Sequence, residues 1–466
     1  MAHIAPQARC LRAGNYAAAA QSGYHRPGMN LPAPATLRRA LGRWDLTALG
    51  VNQVIGGAIF LVPSQVAAVV GAWSPIAIIG GALLTAVVAL SMAEVGSRFD
   101  ATGGPYLYAR AAFGRFAAFE VGWMQWFARV SSHATIANGL AMAVGYYWAG
   151  AVDGVPRVAI ILGITALLTA LNVIGIQQGS RTVNALTIAK LVPLGLFIAT
   201  GLFFVAPARF GHVQPVSLDQ VTTAALLTIF MFGGYEVLTV PAGEARDPRR
   251  HIPFALMATV LVVGTVTVLA QVVAVGTLDD LAGSRTPLAD AAAAFAGWPG
   301  ALLIGLGGLA AMTGNLAGQV LTGSRMLYAL AEQGDVPGVF RYVHPSYRTP
   351  VVSIVFTAAV AAILALSGSF AALAVASAMS RVVIYGASCA AAVVLAMPRF
   401  AGRAGPASFL TPGHPIIPLA GTLTCVALLL AASRSQLVGG GAALAAGALL
   451  FGATRLGQRH AGIAGE

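Results

Sequence analysis

Residues 52–63 read Asn52-Gln-Val-Ile-Gly-Gly-Ala-Ile-Phe-Leu-Val-Pro63 and lie inside an apolar run from Leu46 to Val70. A helix needs about 20 residues to cross the roughly 30 Å hydrocarbon core of a bilayer, so this run is long enough to span one. Its centre is weak, because Gly56 and Gly57 stand side by side there. Glycine lowers helix propensity and has no Cβ, so backbone N–H and C=O groups can leave the helical ladder and turn toward a ligand. Unpaired backbone at that depth is tolerated only where it is buried in protein or lines a cavity. A spanning helix broken at its middle points to a transporter's substrate site.

The rest of the chain supports a membrane setting. Of 466 residues 58% are hydrophobic and only 9% charged, against about 25% charged in an ordinary soluble domain. Mean hydropathy is +0.79. A formal charge of +12 would suggest nucleic acid in a soluble protein. Here the arginines sit in short loops between apolar runs, and no nucleic-acid partner is expected. Cys10, Cys389 and Cys425 are far apart and form no CxxC, so neither a disulfide framework nor a metal site is indicated. No Walker loop, HExxH or Gly-x-Ser-x-Gly is present, so no enzyme and no cofactor is expected, and concentrative work must draw on an ion gradient or on exchange.

Apolar runs of spanning length recur about twelve times, which predicts an all-α integral membrane protein with about twelve transmembrane helices. Residues 1–43 form a polar tail without the apolar core of a cleaved signal, expected to be disordered and cytoplasmic. Arg98, Arg110, Arg115, Arg246, Arg249, Arg250 and Arg325 fall in inner loops if the N-terminus is cytoplasmic, and only Arg157, Arg209, Arg285 and Arg434 in outer ones. That asymmetry predicts a plasma-membrane protein with both termini inside.

A second Gly-Gly pair lies in the sixth run, in Phe230-Met-Phe-Gly233-Gly234-Tyr-Glu236. With five runs before it, the second half enters from the opposite side of the membrane. The expected architecture is a five-plus-five inverted repeat with broken first and sixth helices: residues 44–206, residues 207–398, then two further spans in 399–466. Half-helix N-termini suit a carboxylate, and freed carbonyls suit an ammonium. The ligand so described is a zwitterion such as an α-amino acid. Packing is the bland explanation, since the chain has 55 glycines and membrane helices use glycine for close approach. It is the matching positions of the two pairs that favour function.

At these residues the chain resembles the amino acid/polyamine/organocation (APC) superfamily of permeases. Gly56-Gly-Ala-Ile-Phe60 is similar to its first-helix motif, and Gly103-Gly-Pro-Tyr-Leu-Tyr108 with Phe113-Gly114 to its loop before the third span. Asn172-Val-Ile-Gly175, Gly234-Tyr-Glu236 with Glu244 to Pro253, and Ser324-Arg325 with Gly334-Asp-Val-Pro337 follow in the family's order. The resemblance implies that the substrate carboxylate meets N–H groups of Gly57 and Ala58, next to Gly56. It also implies that the ammonium meets carbonyls near Ile55, Phe230 and Gly233, beside Gly234, with Phe230 as an aromatic wall. The family usually has glycine where this chain has Ala58, which narrows the approach. An apolar lining of Val54, Phe230, Met231 and Phe232 points to neutral or aromatic substrates, and Glu236 leaves cationic ones open.

Of 27 basic residues all but one are arginine; the exception, Lys190, lies in the middle of the fifth run. Lysine can lose its proton when desolvated and arginine effectively cannot. In the family a lysine here is similar to one that takes the place of a sodium ion, touching the first span and a hydroxyl of the eighth, for which Thr313 is the candidate. Sodium-independent, proton-coupled symport of an amino acid is therefore expected, with exchange, or transport of a related amine, as alternatives. A channel or a non-transporting sensor is a further class. Snorkelling toward the interface is the competing role for Lys190. Glu236 reads either as a proton-coupling carboxylate or as an acceptor for nearby N–H groups. Arg129, His133 and Arg381 should face the bundle interior, with Glu120 and Glu236 as conceivable partners. Glu244 and Asp247, beside Arg246, Arg249 and Arg250, are expected to form a cytoplasmic charge network.

Overall fold

The computed structural model describes residues 41–101, 103–174, 180–211, 214–347 and 349–460, without the side chains of 180–186, 244, 401 and 457–460. The expectation for the N-terminal tail up to residue 40, the Gly175 end of the Asn172 motif and the Glu244 side chain lie outside these described residues.

The first apolar run folds as two half-helices, α1 (Arg43–Val54) and α2 (Ala58–Val70), separated at Ile55–Gly57. The Asp45 carboxylate caps the start of α1 by accepting from Gly42 N at 3.0 Å. Then follow α3 (Ser74–Gly96), a short α4 (Pro105–Phe113), α5 (Arg115–Gly145), α6 (Gly154–Ile174) and α7 (Ser180–Gly201). The second half opens with α8 (Leu218–Phe232), whose start is fixed by a Ser217–Gln220 capping box. Its continuation is a 3-10 segment, Tyr235–Glu244, bent 41° from α8. After it come α9 (Pro248–Thr277), α10 (Pro287–Glu332), α11 (Val351–Ser367), α12 (Phe370–Ala396), α13 (Ile416–Ala431) and α14 (Arg434–His460).

Counting each broken pair once and leaving out α4, these elements make twelve spans, at nearly the positions of the apolar runs. Among the described residues, length and apolarity alone identify seven helices as spanning, or eight with the bent pair. The shortfall has clear causes: α11 and α13 are short, α5 carries Glu120, Arg129 and His133, and the first span is divided. Two boundaries differ from the sequence reading. The eighth span is preceded by a short helix from Pro287, joined across a kink at Gly297 (φ 63°). The twelfth begins at Arg434, the residue expected in an outer loop, and runs to His460.

The kink reveals a correspondence between the halves. In each, a short helix with proline in its first turn lies between the second and third spans: α4 in one, the first part of α10 in the other. Burial divides the bundle into core and periphery: the apolar window of α12 is 67% buried and that of α14 only 11%, so α14 lies on the outside of the bundle. α5 packs against both α10 and α12, and these three helices, with α8, surround the two breaks.

Candidate substrate site at the two helix breaks

At the first break α1 ends normally, with Ile55 N donating to Val51 O and Gly56 N to Val54 O, both at 2.8 Å. α2 then begins without a side-chain cap, and among the described residues no acceptor faces the N–H groups of Gly57, Ala58 and Ile59. These orphan donors carry the positive end of the α2 dipole. On the other side of the break, Lys190 supplies the missing donors. Its Nζ, 2% exposed, bonds Asn52 Oδ1 (2.6 Å), Ile55 O (2.9 Å) and Asn52 O (3.2 Å). Lys190 therefore points into the break and does not snorkel. The expected contact with Thr313 is not made: that hydroxyl donates to Leu309 O in its own helix at 2.9 Å. The reason is local, since the break itself frees carbonyls nearer to Nζ.

The second break is arranged the opposite way. Gly233 is extended (φ −68°, ψ 141°) and Gly234 has φ 132°, a conformation that strains any residue with a Cβ. Gly234 N donates to Glu236 Oε2 at 2.9 Å, so here the N–H end is capped by a carboxylate. Phe230 O accepts from Gly233 N at 3.2 Å, whereas the Gly233 carbonyl has no donor among the described residues. The two breaks touch: a Cβ on Gly234 would lie 2.8 Å from Gln53 O.

A chain of hydrogen bonds joins them. Asn315 Nδ2 donates to Gln53 O (2.8 Å), Gln319 Nε2 to Asn315 Oδ1 (3.2 Å), and Arg129 Nη1 to Gln319 Oε1 (3.3 Å). Arg129 Nη2 pairs with Glu236 Oε1, completing the connection to Gly234. Tyr385 Oη also donates to Glu236 Oε2, at 3.0 Å. Of the two acids proposed as partners, Glu236 takes both arginines: Arg381 Nε lies 3.5 Å from its Oε1. Both oxygens of Glu120 have no hydrogen-bond partner, and it pairs with neither arginine. His133 is apart from the cluster, with Nε2 3.1 Å from Thr165 Oγ1.

The breaks enclose a small cavity of about 10 Å³, about the room of one water molecule, so the site is nearly closed in this conformation. Val54, Gly56, Gly57 and Ala58 line it from the first break, and Phe230 and Gly233 from the second. α5 contributes Ser132 and Ile136, α10 Asn315 and Gln319, and α12 Arg381. Met231 and Phe232, expected in the lining, are absent from it, and the wall is more polar than the sequence reading held. Asn52, Gln53, Asn315 and Gln319 were the missed residues. Two adjacent amides just before a glycine pair, and two amides one turn apart in an apolar helix, were their signal.

Of the charge network expected around Glu244 and Asp247, the structure describes only part, since the Glu244 side chain lies outside the described residues. Asp247 meets Arg250 at 3.8 Å, with the two side chains 46% and 84% exposed, a geometry of little energetic weight. The buried Asp335 pairs with the partly exposed Arg115 (2.8 Å), and Tyr106 Oη donates to Asp335 Oδ2 at 3.0 Å. Burial, with the Asp335 carboxylate alongside, pushes the Tyr106 hydroxyl up to about 12, so it remains a donor at neutral pH.

Residues 41–444 match the family described as "Amino acid permease". The branched-chain amino acid permease BcaP of Bacillus subtilis is 28% identical over 418 residues, covering 85% of this chain and 88% of that protein. The serine/threonine exchanger SteT of Bacillus subtilis is 29% identical over 347 residues, 71% of this chain and 77% of its own. A putative arginine/ornithine antiporter of the same organism is 29% identical over 353 residues, 68% and 74% of the two chains.

Proposed function

Because the chain belongs to the amino acid permease family, a family of membrane transporters and not of enzymes, we propose that it carries an α-amino acid across the plasma membrane by alternating access. The observation behind this reading is what the two breaks leave free. The first offers uncapped N–H groups at Gly57 and Ala58, and the second an uncapped carbonyl at Gly233. Placed on one cavity, they match the carboxylate and the ammonium of one zwitterion. Ile55 O and Phe230 O already serve as acceptors and are left with a lesser share of the ammonium. The two halves are read as inverted repeats, and the arginine distribution as both termini cytoplasmic.

Lys190 occupies the position of a bound cation: its ammonium has three donors and three oxygen acceptors. Uptake is accordingly sodium-independent, and the proton of Lys190 is the coupling particle, released when α1 moves away from it. The alternative is exchange, favoured by the same completeness of the lysine's bonds, which suits a permanently charged side chain.

Reconstitution into liposomes tests the reading. Saturable amino acid uptake with counterflow, unchanged when choline replaces sodium, is expected; passive, non-saturable flux would identify a channel, and binding without flux a sensor. An inward proton gradient that stimulates uptake into empty vesicles favours symport, whereas an absolute need for internal amino acid favours exchange.

A further inference from the structure

We infer that the substrate is an acidic α-amino acid and that Arg381 selects it by pairing with the side-chain carboxylate. The inference rests on the transport reading above and deepens it.

Arg381 is 1% exposed and lines the cavity between the breaks. Its Nη1 donates to Ser377 Oγ (2.6 Å) and its Nη2 to Ser132 Oγ (2.9 Å). Nε has no hydrogen-bond partner. A guanidinium has five N–H donors, so three of them are unused inside a membrane-embedded core. Its Cζ also lies 5.8 Å from the centre of the Phe230 ring, at the cavity wall.

Glu236 does not fill this deficit. Its Oε1 is the partner of Arg129, and its Oε2 accepts from Gly234 N and Tyr385 Oη. Arg381 reaches it only at 3.5 Å. The two arginines against one carboxylate leave one positive charge in excess beside the cavity. Lys190 adds another behind the first break. A buried cation that shares its only anion with a second arginine is incompletely neutralised, and an incoming anion at its unused N–H donors removes that cost.

The second carboxylate has no other place. The uncapped N–H groups of Gly57 and Ala58 receive one, and the Gly233 carbonyl receives the ammonium. A neutral zwitterion satisfies both and leaves Arg381 as it stands. A ligand with two carboxylates and one ammonium satisfies all three, and its net charge of minus one matches the surplus. Carboxylate is also the group whose two oxygens fit two guanidinium N–H donors together. A cationic side chain is disfavoured, because every Glu236 oxygen already has partners.

The test is uptake and competition in proteoliposomes with radiolabelled L-aspartate, L-glutamate, L-serine and L-leucine. Wild-type protein should take up or be inhibited by the acidic pair at concentrations on the order of tenfold or more below those of the neutral pair. Arg381→Gln should bring the ratio of acidic to neutral affinity close to one, and Arg381→Lys should retain part of the preference. Neutral uptake with no acidic preference in wild type overturns the inference while the transport reading survives; no uptake or binding of any amino acid overturns the transport reading. Equal loss of both classes in Arg381→Gln, in protein that still elutes as a monodisperse peak, assigns Arg381 a general role and also overturns it. The wild-type competition needs no variant, so a misfolded Arg381→Gln leaves the outcome readable.

Discussion

The two breaks are the same interruption finished with opposite charges. At the first, the carbonyl end is capped by the Lys190 ammonium and the N–H end is left bare. At the second, the N–H end is capped by the Glu236 carboxylate and the Gly233 carbonyl is left bare. A broken helix frees donors and acceptors together, and a binding site needs only one kind at each end of its ligand. Each buried charge removes the kind not wanted. On the proposed reading, Lys190 and Glu236 shape the substrate site as much as the glycines do, although neither lines the cavity.

The comparison can be broken most severely at Glu236. Glu236→Gln leaves Arg129 and Arg381 buried without an anion, and breaking such a pair costs about 3–5 kcal/mol. We expect low yield and a large fall in melting temperature in detergent, partly restored by a second change, Arg129→Gln. A variant as stable as wild type would show that the cap at the second break carries little of the fold.

Gly234→Ala comes next. It forces a Cβ onto φ 132° and within 2.8 Å of Gln53 O, separating the breaks at a cost of about 1–3 kcal/mol in backbone strain alone. Uptake should fall far more than stability does. Lys190→Gln attacks the other cap, and uptake should become insensitive to the proton gradient while the substrate's apparent affinity weakens, as measured across a pH series. Unaltered pH dependence would leave Lys190 structural.

Smaller effects sharpen the picture. Asn315→Ala removes the bond to Gln53 O and opens the chain between the breaks, at roughly 1 kcal/mol; a several-fold rise in the half-saturation concentration is expected. Smallest is Arg250→Ala. The exposed contact with Asp247 contributes about 0–1 kcal/mol, and neither melting temperature nor uptake should change measurably. Tyr106, held near 12 by burial and Asp335, is protonated throughout the neutral range and contributes nothing to a pH profile measured there.

Much of this was legible in the chain. The breaks, the spans and the singular Lys190 could be read because each depends on local composition: a glycine pair in an apolar run, or one lysine among arginines. Partnership was not legible. Arg129, Glu236 and Arg381 come from the third, sixth and tenth spans, and only the packing of those helices decides that one carboxylate serves two guanidiniums. The Thr313 assignment failed for a related reason: it looked to a neighbouring helix when the break had already exposed oxygens at Asn52 and Ile55. The apolar lining was misjudged because adjacent residues on a helix face different directions, so Phe230 meets the cavity and Met231 does not.

The central claim, that bare N–H groups of one break and a bare carbonyl of the other hold the two ends of a zwitterion, is tested most directly by blocking those ends separately. Competition against uptake of the preferred amino acid by its α-carboxyl methyl ester, and by the corresponding acid lacking the amino group, isolates each contact. The account predicts that neither analogue competes at concentrations where the parent amino acid saturates. Competition by either one at the parent's own concentration would contradict it.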